Sequence, residues 1–357
     1  MKRVGMLTSG GDCQALNAAM RGVVKGLCKN VDELEVYGFY DGYRGLIYEK
    51  YRLLTPTDFS GILTKGGTIL GSSRQPFKMM RVPDENGLDK VEAMKQTYHK
   101  LKLDCLVILG GNGTQKTANL LREEGLHVIH LPKTIDNDIY GTDITFGFQS
   151  ALNIASMAID CIHTTAASHN RVFIVEIMGH KVGWLTLNAG IASGADIILL
   201  PEIPYDINKV MEAIQDRSLA GKGFTILAVA EGAISKEDAL LSKKDYKKKL
   251  EKTKYPSVSY EIAARIQELS GTEVRVAVPG HTQRGGSPCP FDRVLCTRLG
   301  AAAALAILDQ DYGCMIAMIN EETKRVPLEE VAGKLKSVDP ECTTIKEAKT
   351  IGISFGD

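Results

Sequence analysis

The chain carries no surplus of either charge: Lys plus Arg and Asp plus Glu each number 43 among 357 residues. No overall field therefore draws it to nucleic acid or to a membrane, and an anion site has to come from local placement. No run reaches the roughly 18 apolar residues that a membrane span requires. The first residues, MKRVGMLTSGG, lack the long apolar stretch and small-residue cleavage site of a secretory signal. The 8 cysteines are scattered without a CxxC pair, which argues against a disulfide or thiolate–zinc framework and for reduced thiols. Fixed-period repeats and low-complexity tracts are missing as well. The expectation is a cytoplasmic chain with neither a nucleic-acid nor a membrane partner.

What is present is length and a hydrophobic content of 44%, enough for two cores, since one core rarely grows past roughly 250 residues. Short apolar, strand-like runs recur at 4–7, 106–109, 127–131, 172–177, 224–230 and 275–278, with helix-like patterns between several of them, as at 16–27 and 115–124. Alternation of this kind predicts an α/β fold with mainly parallel sheets covered on both faces, and it assigns function to the loops after the strands. The lysine-rich stretch 235–255 reads as a solvated helix and lobe connection, the alternative being a basic binding tract.

Three of those loops carry chemistry. The first run delivers Gly10-Gly11-Asp12 ahead of a helix opening near Asn17. Backbone N–H groups at a helix start hold anions, and glycine lets a phosphate approach the main chain. A strand-to-helix turn also uses glycine for geometry alone, so both readings stand. The loop has neither the lysine and spacing of a P-loop nor a GxGxxG. The second loop, Gly110-Gly111-Asn112-Gly113-Thr114, follows CLVIL and repeats the offer, with Thr114 able to cap the helix and donate to a phosphate oxygen. The third is Pro132-Lys133-Thr134-Ile135-Asp136-Asn137-Asp138. Two carboxylates directly after a strand are costly to bury unless they bind a cation or move a proton, the alternative being an ordinary acidic turn. Phosphoryl transfer to an alcohol needs a proton acceptor, a neutralising cation and in-line geometry. Asp136, Asp138 and Lys133 are residues of those types.

With TSGGD, GGNGT and PKTIDND read, the chain resembles the 6-phosphofructokinase family over nearly its whole length. Gly71-Ser72-Ser73-Arg74, Ser168-His169-Asn170-Arg171, Glu176-Ile177-Met178-Gly179, Ala230-Glu231-Gly232 and Gly280-His281-Thr282-Gln283-Arg284-Gly285-Gly286-Ser287-Pro288 follow in the family's order. The resemblance implies two doubly wound, Rossmann-like lobes. A larger donor lobe would comprise 1–140 and about 256–305, and a smaller acceptor lobe about 141–255 and 306–357. It implies phosphorylation of fructose 6-phosphate at its 1-hydroxyl with ATP and Mg2+, as in glycolysis. Gly11, Gly111, Asn112, Gly113 and Thr114 would hold the donor phosphates, with Arg74 and the adjacent Gln75, Arg74 bridging donor and acceptor. Asp136 would take the hydroxyl proton, Thr134 and Lys133 would steady the moving phosphoryl group, and Asp138 with Asn112 would attend the metal. Arg171, Arg275, His281 and Arg284 would grip the acceptor's 6-phosphate, with Thr282 and Gln283 beside them. Thr134, Ile135, Met178, Gly179, His180 and Glu231 would meet the sugar. The counterparts of Arg171 and Arg275 reach a neighbouring subunit's site in the family, which implies a homodimer or homotetramer with shared active sites.

Departures from the family pattern bear on the donor and the metal. Asn112 stands where an aspartate is usual, and an amide oxygen is a weaker magnesium ligand than a carboxylate. His180 replaces an arginine, and Cys13-Gln14-Ala15-Leu16 alters the turn after Asp12. Gly113 leaves room for a nucleotide, as in ATP users, whereas Lys133 resembles the lysine of pyrophosphate users. Steric exclusion outweighs an added charge that serves either donor, so ATP is the expected donor and pyrophosphate the alternative. Another sugar phosphate such as sedoheptulose 7-phosphate is a further alternative. A catalytically silent sugar-phosphate or nucleotide sensor has no need of Asp136, and a lipid or NAD kinase leaves PKTIDND and GHTQRGGSP unexplained.

Overall fold

The computed structural model describes residues 1–169 and 171–357. Asn170, in the Ser168 to Arg171 motif, lies outside the described residues. The described chain forms strands β1 (Lys2–Ser9), β2 (Leu34–Phe39), β3 (Tyr51–Leu54), β4 (Cys105–Gly110), β5 (Val128–Thr134), β6 (Phe146–Gly147), β7 (Val172–Ile177), β8 (Ile197–Leu199), β9 (Thr225–Ala230), β10 (Val274–Ala277), β11 (Cys314–Ile319) and β12 (Glu322–Pro327). The chain falls into two units, Met1–Ala151 with Arg284–Lys336 and Leu152–Gln283 with Ser337–Asp357. No helix among the described residues is long and apolar enough to cross a membrane.

The first unit is built on a sheet of order β12-β11-β5-β4-β1-β2-β3, with β6 added to β5. Its centre is parallel, and only β12 and β3, at the two ends, run antiparallel. All residues of β4 and β5 are buried. That is what an unbroken apolar run such as CLVILG demands of a parallel strand covered on both faces. On one face the helix Leu16–Cys28 meets the helix Pro290–Leu308 at bare backbone. A Cβ on Gly22 would come within 2.9 Å of the Cys296 carbonyl oxygen, and one on Gly300 within 2.7 Å of the Gly22 Cα. Glycine is needed at both positions because the two main chains occupy the space a side chain would fill.

The second unit carries an all-parallel sheet of order β10-β7-β9-β8. Its core includes Ile174, Leu199, Leu227, Val229, Ile262 and Ile266. The lysine-rich stretch forms the helix Lys243–Lys252, in which no residue is buried.

Three expected boundaries require correction: residues 141–151 belong to the first unit, where β6 pairs with β5, and two longer stretches change sides. Residues 306–336 do not join the acceptor lobe, because β11 pairs in parallel with β5, Cys314 beside Ile129 and Met315 beside His130. Residues 256–283 do not join the donor lobe, because β10 pairs with β7 in the second sheet. Both strands find partners far away along the chain, a choice that local pattern does not encode.

His130 lies in the middle of β5 beside Ile108 and is fully buried. Its Nε2 sits 3.0 Å from the Gly110 carbonyl oxygen. A carbonyl only accepts, so Nε2 carries the proton, and Nδ1 has no hydrogen-bond partner among the described residues. Burial pushes the imidazole down to about 3, so it is neutral in the folded chain. The unfolded chain protonates this group near its ordinary value of about 6.5, and the folded chain does not. The stability His130 confers is therefore complete above about pH 6.5 and falls as pH drops from there toward 3, by on the order of 1.4 kcal/mol per pH unit. Urea unfolding between pH 6 and 4.5 should show the His130→Gln chain with a pH slope shallower by that amount. Identical slopes would contradict a neutral buried histidine.

Candidate active site

Parallel pairing in register finishes β1, β4 and β5 level with one another, Ser9 beside Gly110 and Gly110 beside Pro132. The three loops that follow therefore leave from one edge of the first sheet. Gly10 turns with φ +86°. Its N–H donates to the Ser73 carbonyl at 3.0 Å, and its own carbonyl accepts from Ser72 Oγ at 2.5 Å. The segment holding Arg74, which is exposed, and Gln75, which is half-buried, is thereby laced to the first loop. A Cβ placed on Gly10 would lie 3.6 Å from Thr114 Oγ1 and 3.8 Å from Lys133 Nζ, so all three loops converge on this point. The buried Lys133 ammonium donates to the Gly11 carbonyl. Arg284 donates from Nη1 to the Asp12 carbonyl at 2.9 Å. A Cβ on Gly11 would meet the same guanidinium at 3.0 Å.

Lys133 Nζ thus stands 4.0 Å from a Cβ placed on Gly111, which caps the helix Asn112–Glu123, and Arg284 stands beside Gly11. Burial first, and then the nearby Arg284 charge, lower the Lys133 ammonium from its ordinary range, while Asp136 and Asp138 pull it back up. Positive charge, glycine backbone and a helix start together favour a polyanion. Gly113 faces open space, with no atom within 4 Å of a Cβ built there.

The acidic loop is folded by its own polar groups. Thr134 Oγ1 accepts from the Asp136 N–H at 3.0 Å. Asn137 occupies the left-handed region at φ +55°, and its Oδ1 accepts from the Thr145 N–H at 3.0 Å and from Lys336 Nζ at 3.1 Å. The two carboxylates are carried on either side of that reversal. Asp136 Oδ1 is shut off from solvent and has no hydrogen-bond partner among the described residues. A buried carboxylate oxygen left unpaired forfeits roughly 1–3 kcal/mol or more, the kind of cost that a substrate proton or a cation offsets. Ile135 is fully buried and packs rather than faces the site.

The second unit assembles the other set. Glu231 Oε1 accepts from the Gly179 N–H at 3.3 Å and the His180 N–H at 2.7 Å, which joins Met178, Gly179, His180 and Glu231 into one turn. Gly179 has φ +148°, and a Cβ there would strike the Val182 carbonyl at 2.6 Å. His180 and Glu231 lie on the wall of a 920 Å³ cavity within this unit. Gln283, expected among the acceptor contacts, is fully buried. Its Oε1 accepts from the Met178 N–H at 3.2 Å and its Nε2 donates to the Gly280 carbonyl at 3.2 Å, so it holds the turn in place. Arg171 and Arg275 both pair with Glu273, the former at 2.7 Å. His281 and Thr282 are exposed, and Thr282 Oγ1 donates to the Pro279 carbonyl at 2.6 Å.

Sequence reasoning gave Asn17 only as a helix start and passed over His130 and Lys336. Asn17 is fully buried. Its Nδ2 donates to the Lys65 carbonyl at 2.9 Å and its Oδ1 accepts from the Ile69 N–H at 2.8 Å, which secures the approach to Gly71. An amide within the apolar stripe of the helix Leu16–Cys28 was the available signal. Lys336 gave none, since nothing nearby in sequence announces its partners.

The phosphofructokinase family model matches residues 3–307. The chain is 55% identical over 360 residues to an ATP-dependent 6-phosphofructokinase of Spirochaeta thermophila, covering 99% of this chain and 97% of that one. Phosphofructokinase from Pichia pastoris, solved in its T-state, superposes with a TM-score of 0.78 at 32% identity over 93% of this chain, which spans only 35% of that longer one. A pyrophosphate-dependent phosphofructokinase from Nitrosospira multiformis has the same fold, with a TM-score of 0.81 at 20% identity, covering 100% of this chain and 93% of that one. Three loops converging on a buried lysine, an unpartnered aspartate oxygen and a matching family model lead to one assignment: the chain belongs to the phosphofructokinase family.

Proposed function

We propose that the chain transfers the γ-phosphoryl group of ATP to the 1-hydroxyl of fructose 6-phosphate, giving fructose 1,6-bisphosphate and ADP, the phosphofructokinase step of glycolysis. The observation that carries this reading is Asp136 Oδ1, buried without a partner on the edge where Gly11, Thr114 and Lys133 meet. Asp136 accepts the hydroxyl proton as the sugar oxygen attacks phosphorus. The backbone of Gly11 and of residues 111–114 takes the donor phosphates at the helix start, while Lys133 and Thr134 meet the transferring group and Arg74 spans donor and acceptor. On the acceptor side, His180, Glu231 and Met178 meet the sugar, and His281 and Arg284 its 6-phosphate.

Magnesium fits the residues present, because the ion keeps several waters and takes one or two carboxylates along with substrate phosphates. Asp138 would hold it, with the amide oxygen of Asn112. Bound with the phosphates, it neutralises charge that builds on the moving group.

ATP is favoured over pyrophosphate by the open space beside Gly113 and by the donor named for the Spirochaeta thermophila relative. The lysine that argued for pyrophosphate already gives one N–H to Gly11. Arg171 and Arg275 share Glu273 and serve a neighbouring subunit's site in a homodimer or homotetramer.

Steady-state assays with fructose 6-phosphate, magnesium and either ATP or pyrophosphate test the reading. Asp136→Ala should lower kcat by about 100-fold or more with the KM for fructose 6-phosphate little changed, and retained turnover would remove Asp136 as the base. Gly113→Asp meets no neighbour that would disturb the fold, so it should depress kcat/KM for ATP far more than for pyrophosphate. Equal losses would reject the steric account of donor choice.

A further inference from the structure

A short segment of the first unit, residues 334–336, is fastened to both chemical loops. Asn112 Nδ2 donates to the Lys334 carbonyl at 2.8 Å. Leu335 forms an antiparallel bridge with Ile139, and the Lys336 N–H donates to the Asp138 carbonyl at 2.9 Å. The Lys336 ammonium then donates to three oxygens of the acidic loop and the turn that follows it: Asn137 Oδ1 at 3.1 Å, the Thr142 carbonyl at 3.0 Å and the Asp143 carbonyl at 2.7 Å. Asn137 is the left-handed residue between the two aspartates, so the ammonium grips the reversal that sets their directions.

We infer that residues 334–336 act as a strap that positions Asp136 and Asp138 against the donor loop, with Lys336 as the positioning residue on the acidic side and Asn112 as the anchor on the donor side. The inference rests on the phosphofructokinase reading of this site. It gives Asn112 a physical reason to be an amide. A carbonyl oxygen needs an N–H opposite it, and an aspartate at 112 would face the Lys334 carbonyl with a second acceptor. The weaker metal ligand is therefore the one that holds the strap, and its Nδ2 is committed to Lys334 while Oδ1 remains. Lys336 acts on the site through its hydrogen bonds to the acidic loop and the turn after it, and through its charge near Asp138.

Two variants separate the strap from its rivals. Asn112→Asp supplies a stronger magnesium ligand and removes the tether. The strap requires kcat to fall about tenfold or more, with the KM for fructose 6-phosphate within about threefold of the parent. An unchanged or raised kcat would mean that residue 112 serves the metal alone and would overturn the inference. Lys336→Met should lower kcat by about 30-fold or more with a similarly small change in acceptor KM. When combined with Asp136→Ala it should cost far less than it does alone, because the share of its effect that runs through the base is gone and only the share through Asp138 is left. Multiplicative losses in the double variant would overturn the positioning role. If Lys336→Met fails to fold by circular dichroism, Asn112→Asp alone decides. Absence of turnover in the parent chain with either donor would instead defeat the phosphofructokinase reading, an outcome these comparisons between variants do not share.

Discussion

Parallel pairing among β1, β4 and β5 forces the loops that follow them onto one edge of the first sheet, because strands in register end together. An antiparallel neighbour would have sent one of those loops to the far end. Everything proposed for the donor side depends on this constraint: the glycine turn at Gly10, the helix start at Gly111 and the acidic loop at Asp136 come within reach of one lysine ammonium. Burial of both β4 and β5 then makes the edge stiff, since shifting either strand would expose an apolar face.

The electrostatics of that edge are arranged for a guest. A buried ammonium costs free energy unless it is hydrogen-bonded or paired. Lys133 has a carbonyl partner in Gly11, two aspartates nearby and a second cation in Arg284. Asp136 meanwhile holds an oxygen without a hydrogen-bond partner among the described residues. In the proposed function a polyphosphate over the glycines would offset the positive charge of Lys133, and an alcohol beside Asp136 would supply a donor to its oxygen.

Local sequence carried the loops and little of what holds them. Glycines after apolar runs, and DND after a strand, are visible because strand, turn and helix start are neighbours in the chain. The partners of Asn112, of Arg171 and of Gln283 were not, since Lys334, Glu273 and Met178 reach them only through tertiary folding. Asn112 shows the difference well: from sequence it reads as a weakened metal ligand, and the fold gives its nitrogen a carbonyl to hold. The assignment of 256–283 and 306–336 to units failed for the same reason, because a short apolar strand of four or six residues fits either sheet until its neighbour is known.

The pairing of β11 with β5 also governs how the chain is made. During synthesis β1, β2, β4 and β5 emerge early and can assemble, but the β5 edge waits for Cys314 and Met315, which lie far downstream. Contacts so distant along the sequence slow folding, and an unpaired, apolar strand edge is a template for association with other chains. For that interval the stretch of β5 at Ile129 and His130 lacks its neighbour. The late arrival of β11 is thus the step at which the growing chain offers a strand edge to another molecule.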